Sequence, residues 1–418
     1  MSETTDIIIA GGGIAGMACA LAIAARNAGR IAITLVDAAP PAHAPGEFDG
    51  RAYAIAASSY AMLEKLGVAA RMDGQMQALT DILISDGDAG AAPSPLTLHF
   101  DSTSAGDGRP MGYLTESRHL HAAMAAEIDA RAEITSRAPD SVSGFDASGN
   151  HVEASLQSGG TLTAKLLIAA DGRGSALRKL AGIQTTGADY DQIGIVTTVS
   201  HELPHNGVAH ELFLPSGPFA ILPLPDGPDG AHRSSIVWSE KARAAKAALA
   251  LPDAMFEAEL ARRFGDHWGA VKVCAPGGKM LKAGFPLSLQ MAKAYTAPRF
   301  ALLGDAAHAI HPIAGQGLNM GLRDAAAMAD IIADALDQGR DPGGAQALSD
   351  YAAWRNFDNG ALATATDLLN RLFSNNIAPV RHLRRLGIAA VDKIAPARSF
   401  FIREAAGQIG DLPTLLQD

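Results

Sequence analysis

The run Ile7-Ile8-Ile9-Ala10 is wholly apolar and lies between Asp6 and three consecutive glycines, Gly11, Gly12 and Gly13. A short apolar run stopped by glycine predicts a buried strand over Asp6 to Ala10. Ile14 to Ala28 is apolar and Ala-rich without strict alternation and meets Gly29, which predicts a helix ended there. Ile31 to Val36 supplies a second strand at once. Strand, glycine turn, helix and strand within about thirty residues form the βαβ unit of a doubly wound parallel sheet. Downstream, the pattern predicts a helix over Ser117 to Arg131 and a strand over Thr161 to Ala170 ending at Asp171-Gly172. A further strand over Arg299 to Leu303 ends at Gly304-Asp305, and long helices follow to the end.

Between about 181 and 295 the pattern changes. Short β-rich runs, Ile193 to Val199, Val208 to Phe213, Phe219 to Leu224 and Ser234 to Trp238, are separated by Pro and Gly turns, as in a mainly antiparallel sheet. A helical stretch, Ala242 to Phe264, interrupts them. Ile82 to Ile84 and Leu96 to Phe100 are expected to add strands to the same sheet.

Charge and cysteine content narrow the class. The formal charge is −10 and there is no run of Lys and Arg, so nucleic acid is not an expected partner. Cys19 and Cys274 stand far apart, which leaves no disulfide framework or Cys-based zinc site and suits a reducing, cytoplasmic setting. Ile7 to Ala25 carries no charge and approaches the ~20 residues that span a bilayer. Its flank holds Glu3 and Asp6 instead of a basic segment, and glycines interrupt its middle, so neither a leader nor a membrane helix is expected.

The candidate chemistry begins at Gly11-Gly12-Gly13-Ile14-Ala15-Gly16, a G-x-G-x-x-G between a predicted strand and a predicted helix. The first glycine permits the tight turn, Gly13 lets a pyrophosphate approach the backbone, and Gly16 allows close helix–strand packing. Phosphates would then face the positive end of the helix. Asp37 ends the second strand about twenty residues beyond Gly16, where a carboxylate accepts hydrogen bonds from an adenosine ribose. That motif serves NAD and FAD alike. Gly304-Asp305-Ala306-Ala307-His308 and then Pro312-Ile313-Ala314-Gly315-Gln316-Gly317-Leu318-Asn319 favour FAD. A carboxylate at a strand end suits ribityl hydroxyls, and a glycine-rich helix start suits the pyrimidine edge of a flavin, whose reduced anion the helix N-terminus stabilises.

Together, the glycine motif at Gly11, the Asp171-Gly172 pair with Ser175 and Arg178, and the block from Gly304 to Asp324 resemble the FAD-dependent aromatic hydroxylases of the para-hydroxybenzoate hydroxylase type. The wording His311 to Asn319 most resembles the ubiquinone-biosynthesis hydroxylases, which act on polyprenylated phenols. Asp49-Gly50-Arg51-Ala52, Gly217 to Pro223, Ser235 to Trp238 and Phe285-Pro286-Leu287 agree, as do Tyr351, Arg355, Asp367, Phe373 and Arg384. The resemblance implies an α/β fold: a Rossmann-like FAD-binding domain (1–74, 101–180 and 296–345) with an inserted α+β substrate domain (75–100 and 181–295), followed by C-terminal helices (346–418). It implies bound FAD, transient NADH or NADPH, O2 as co-substrate and a hydrophobic phenolic substrate.

By the same resemblance, Gly11, Gly13, Ile14, Ala15, Gly16 and Asp37 hold the adenosine diphosphate end. Arg51 would contact the pyrophosphate, and Arg118 is the candidate for another FAD contact, although Tyr113 to Ser117 departs from the family's pattern. Asp171 would assist both FAD and the nicotinamide. Gly304 and Asp305 would take the ribityl chain, and Gly315, Gly317, Leu318 and Asn319 would border the isoalloxazine. Pro312, through its backbone carbonyl, with Gly315 and Gln316, would face the reacting phenol. The likeness leaves open a peripheral contact with the inner membrane, a biosynthetic complex and a homo-oligomer.

Other readings of these residues stay beside that one. Arg51, Arg118 and Arg178 could be surface ion-pair partners, and Asp171 could simply open a turn. Asp305, His308 and His311 have a metal-like spacing, but Pro312 follows directly and the expected metal is none; the two histidines are expected to be hydrogen-bonded structural residues. Phe213, Phe219, Leu222 and Leu224 could line a substrate wall or fill a core. No base for the phenol stands out. The chain holds no G-x-S-x-G, G-x-x-x-x-G-K-[ST] or H-E-x-x-H motif, so hydrolase and nucleotide-triphosphatase chemistries have no anchor. The alternatives are a soluble aromatic-acid hydroxylase, with Arg233 as the cation for a substrate carboxylate, a reductase of the same fold, and a flavin-binding scaffold.

Overall fold

The structure, a computed structural model, describes residues 2–40, 44–46, 48–87, 97–102, 108–312, 315–373, 403 and 406–417. Ile313, Ala314 and Arg384 of the motifs above lie outside the described residues, as does the side chain of Phe373.

A six-stranded sheet holds the strand Ile7–Ala10 near its centre, in the order Thr296–Ala297, Phe300–Leu302, Leu166–Ala169, Ile7–Ala10, Ile33–Val36, Ile134–Arg137. All neighbours are parallel except the first pair. Strands covered on both faces need continuous apolar sequence, and Ile7 to Ala10 and Leu166 to Ala169 are buried throughout. The helix Ile14–Asn27 packs against the sheet and against the long helix Gln316–Asp337. It ends one residue sooner than the sequence suggests, because Ala28 already takes the left-handed conformation (φ 47°) before Gly29 (φ 76°).

Two predicted elements are each divided in the structure. Thr161 to Ala170 is not one strand: Thr161–Ala164 belongs to a four-stranded sheet, and Leu166–Ala169 to the parallel sheet. Lys165 marks the break, its amide donating to the Asp6 carbonyl and its ammonium to the Asp6 carboxylate (2.9 Å). Ala242 to Phe264 is two helices, Ala242–Leu249 and Asp253–Phe264. Pro252 accounts for this, since it lacks an amide and disfavours helical geometry in the residue before it.

A nine-stranded, mostly antiparallel sheet contains the β-rich region. Its path runs His308–Ala309, Ala283–Ala292, Thr185–His201, His232–Lys241, Gly217–Leu224, Val208–Leu214, Asp81–Asp86 and Thr97–Asp101, with Val271–Val273 beside Thr185–His201. The segments near 82–84 and 97–100 do join it. Strand alternation gives the sheet two unlike faces. One packs Leu212, Phe219, Ile221 and Trp238 against Phe256, Leu260 and Phe264 of the helix Asp253–Phe264. The other carries Ala209, Leu222 and Leu224 toward the small sheet made by Ala52–Ala56, Gly112–Glu116 and Met76–Leu79, and Phe213 onto Leu98, Phe100 and Met111. Phe219 is therefore core, not substrate wall.

Candidate active site

The glycine turn leaves the central parallel strand at its carboxyl end. Gly11 has φ +114°, and a Cβ there would stand 2.3 Å from the Ala170 carbonyl oxygen. A Cβ on Gly16 would lie 1.8 Å from the Gly11 carbonyl oxygen, so the helix meets the turn backbone to backbone. At Gly13 a Cβ would meet nothing within 4 Å. The helix Ile14–Asn27 has Gly13 as its N-cap, no side-chain cap and no acidic residue in its first turn. Ile14 and Ala15 thus open a helix whose N-terminus faces free space, the arrangement that accepts a phosphate.

Asp37 closes this end. Its carboxylate accepts from the Gly12 amide and from the Ala39 amide (2.7 Å). Burial and then Arg51 hold the His121 pKa below its usual value, against the opposite pull of Asp37 and Asp49. Arg51 pairs with Asp49 (2.6 Å), and its carbonyl accepts from the Ser117 amide. Arg118 pairs with Glu116 (2.7 Å) and lies over the Phe48 ring. Both arginines sit at strand and helix starts near the turn, held by neighbouring carboxylates.

The Asp171 carboxylate accepts from Ser175 Oγ (2.5 Å) and from the Leu177 amide (3.2 Å), capping the short helix Ala176–Leu180. Arg178 is buried, donating to the carbonyls of Ala306 (2.6 Å) and Arg173 (3.0 Å). It is not a surface ion-pair partner: it ties the Asp171 motif to the Asp305 motif.

Gly304 is left-handed (φ +59°), and a Cβ there would press on Ala15 at 3.0 Å. Its amide donates to Asp324 Oδ2 (3.0 Å), which also faces His308 Nε2 (2.6 Å). Asp324 Oδ1 takes Arg355 Nε (2.8 Å) and Asn359 Nδ2 (3.0 Å), and Asn359 also donates to the Tyr295 hydroxyl (3.1 Å). Tyr351 donates to the Leu302 carbonyl (2.9 Å) in the strand that leads into Gly304. Burial alone would raise the Asp324 pKa, but His308 and Arg355 hold it well below the usual carboxylate range. This network fixes the turn that presents Asp305, whose carboxylate is exposed and has no hydrogen-bond partner among the described residues.

Pro312 leads into the long helix. Gly315, its N-cap, has φ +63°, donates its amide to the Pro312 carbonyl (3.0 Å) and would strike Ala54 with any Cβ. A Cβ on Gly317 would meet nothing within 4 Å. Gln316 and Asn319 are buried, and Leu318 packs partly against the main core. The Asn319 side chain accepts from the Ala56 amide (2.9 Å) and donates to the carbonyls of Ala54 (3.0 Å) and Gly315 (3.1 Å), tying the helix start to the strand Ala52–Ala56.

Among the described residues no group of three His, Cys, Asp or Glu is placed to hold a metal. His308 is hydrogen-bonded as expected, whereas His311 is not. Both ring nitrogens of His311 are buried without a hydrogen-bond partner among the described residues, the ring meets Tyr190 edge-on, and burial lowers its pKa to about 4. The sequence reading also missed Glu211, a lone carboxylate in an apolar β-run; its alternation with Ala209 and Phe213 is the signal that places it on the inner face.

The residues fit FAD. Two glycine-capped helix starts leave free space, one for its pyrophosphate and one for the pyrimidine edge of its isoalloxazine, and Asp305 offers an uncommitted carboxylate for the ribityl chain that joins them. Bound there, FAD supplies redox chemistry linking a nicotinamide hydride to oxygen, while the chain supplies position and charge.

A family model described as FAD binding domain matches residues 4–356. The chain is 41% identical over 408 residues to ubiquinone hydroxylase UbiL of Rhodospirillum rubrum, covering 97% of this chain and 90% of that one. It is 31% identical over 419 residues to 3-demethoxyubiquinol 3-hydroxylase of Escherichia coli, covering 97% and 99%. The crystal structure of p-nitrophenol 4-monooxygenase PnpA from Pseudomonas putida aligns with a TM-score of 0.76 over 96% of this chain and 98% of that one; at 18% identity the likeness is one of fold. The glycine turn, the Asp171 and Asp305 motifs and these relationships agree, and the chain belongs to the FAD-binding-domain family of flavoproteins that includes the ubiquinone hydroxylases.

Proposed function

We propose that this protein is an FAD-dependent monooxygenase that hydroxylates the aromatic ring of a polyprenylated phenol in ubiquinone biosynthesis. NADH or NADPH supplies two electrons, one atom of O2 enters the ring, and the other leaves as water. The observation that carries the proposal is the position of Pro312. It opens the loop before the glycine-capped helix and shares a small cavity with Pro218, Ala220 and Val237 of the sheet's inner face. Apolar walls suit a phenol and exclude water, which would otherwise divert the oxidant to hydrogen peroxide.

The described cation nearest in kind to a carboxylate anchor is already engaged. Arg233 pairs with Glu116 (2.7 Å) and donates twice to the Pro225 carbonyl, which speaks against an aromatic-acid substrate. A prenyl tail adds about 0.8 kcal/mol per buried CH₂. Such a tail resides in lipid, so the enzyme would meet it at a membrane surface or receive it within a biosynthetic complex. No described helix is long and apolar enough to cross a membrane.

In this proposal segments 1–74, 101–180 and 296–345 carry the cofactor and 75–100 with 181–295 cover the substrate. Gly11, Gly13, Gly16, Asp37, Arg51 and Arg118 serve the adenosine diphosphate half, Asp171 both FAD and the nicotinamide cofactor, and Asp305 the ribityl chain. Gly315, Gly317 and Asn319 shape the flavin ring site, with Pro312 and Gln316 toward the phenol.

The test has two arms. FAD-loaded protein should oxidise NAD(P)H faster when a prenylated phenol is added and yield a product one oxygen atom heavier. Cells lacking the gene should accumulate an under-hydroxylated prenylated phenol, and a Gly13→Glu copy should not correct this. Normal lipids in the deletion strain, with no second hydroxylase present, would refute the ubiquinone assignment; correction by Gly13→Glu protein would favour a scaffold role.

A further inference from the structure

Glu211 occupies a position that its surroundings do not explain as structure. It lies in Val208–Leu214, a strand whose inner face it shares with Ala209 and Phe213, paired with Ala220 on one side and Ile84 on the other. Its carboxylate has neither a hydrogen-bond nor an ion-pair partner among the described residues. It lines the same cavity as Pro312, together with Pro218, Ala220, Val237 and Ser239. Ser239 is buried and its hydroxyl also lacks a partner among the described residues. A small cavity that holds two unsatisfied polar groups offers them to a ligand.

We propose that Glu211 is the catalytic base for the phenol, with Ser239 as a second polar contact. The proposal rests on the hydroxylase reading above. The phenolic O–H bond breaks and an O–H bond forms on the carboxylate, while the electron pair stays on the ring oxygen and enriches the ortho and para carbons. One of these carbons accepts the oxygen atom that O2 and the two electrons of NAD(P)H provide through the flavin. The C–H bond at that carbon then releases its proton to solvent as aromaticity returns, and Glu211 hands its proton back to the ring oxygen. The carboxylate ends ionised, as it began.

Burial brings the Glu211 pKa up to about 7, which matches a base to neutral pH. The other titratable groups on that face include Asp86 in the strand Asp81–Asp86, Lys241 at the exposed end of His232–Lys241, Arg233 and Glu116, which pair with each other, and His311 beside Pro312. Asp86 is itself partnered, and burial is the one cause of the Glu211 shift.

The test uses FAD-loaded protein with ortho-prenylphenol and with a polyfluorinated analogue that is already ionised at neutral pH. Wild-type protein should hydroxylate both, with the rate on ortho-prenylphenol rising as pH rises through about 7. Glu211→Gln should retain FAD and lose about 10²–10⁴-fold on ortho-prenylphenol, together with that rise, while keeping most of its rate on the fluorinated probe. Loss on both probes to the same extent, or a variant with unchanged rate and pH profile, would overturn the role of Glu211. Failure of the wild-type protein on both probes would instead overturn the hydroxylase reading beneath it.

Discussion

Asp324 and Arg355 form a fully buried ion pair, with Nε and Oδ1 2.8 Å apart. The pair lies two helices deep, between Gln316–Asp337 and Ala345–Phe373, yet it acts on the candidate site, because the second oxygen of Asp324 holds the Gly304 amide at 3.0 Å. Asp305 is the next residue. The orientation of an exposed carboxylate is thus set by a dry network behind it.

Removing Arg355 leaves Asp324 charged, buried and underpaired. Arg355→Met should cost about 3–5 kcal/mol of stability, the usual result of breaking one side of a buried pair. Urea denaturation checks the size, and flavin release on dilution should show weaker FAD retention, since the Gly304-Asp305 turn loosens.

Acid should weaken the same network. The Asp324 pKa is lower in the folded chain than in the unfolded one, so its stabilising contribution is fully present above the unfolded value of about 4 and is lost as pH falls toward the folded one. Denaturation midpoints of the wild-type protein should fall below that pH. Asp324→Asn should be less stable at neutral pH and show a shallower acid dependence.

The glycines of the turn should separate binding from folding. Gly13→Glu places its side chain in open space and a negative charge at a helix N-terminus, so the protein should fold but lose its flavin absorbance. Gly16→Ala, whose Cβ would lie 1.8 Å from the Gly11 carbonyl oxygen, should lower the melting temperature even without FAD.

Asn319→Ala should detach the strand Ala52–Ala56 from the start of the long helix. It leaves the Ala56 amide and the Ala54 and Gly315 carbonyls without their side-chain partner, at a cost of about 1–3 kcal/mol. Denaturation measures that loss, and flavin fluorescence should rise as the ring site opens.

The division between what was legible in the residues and what was not follows the range of the interactions. The glycine turn, Asp37, the Asp171-Gly172 and Gly304-Asp305 pairs and the switch from helical to β-rich texture are local. Each depends on backbone freedom, a strand end or a helix start within a few residues, so the sequence by itself determined the FAD-binding βαβ unit and the antiparallel sheet and pointed to the candidate cofactor contacts. Where one element gave way to another at Lys165 or Pro252, local periodicity did not show it, because a partner in space or a single missing amide decided the break. The tertiary structure alone brought Arg355 and His308 to Asp324, Arg178 to the Ala306 carbonyl, and Glu211 to the cavity beside Pro312. Those pairings join residues far apart along the chain, and a charge becomes structural or chemical only once folding has removed its water and supplied, or withheld, a partner.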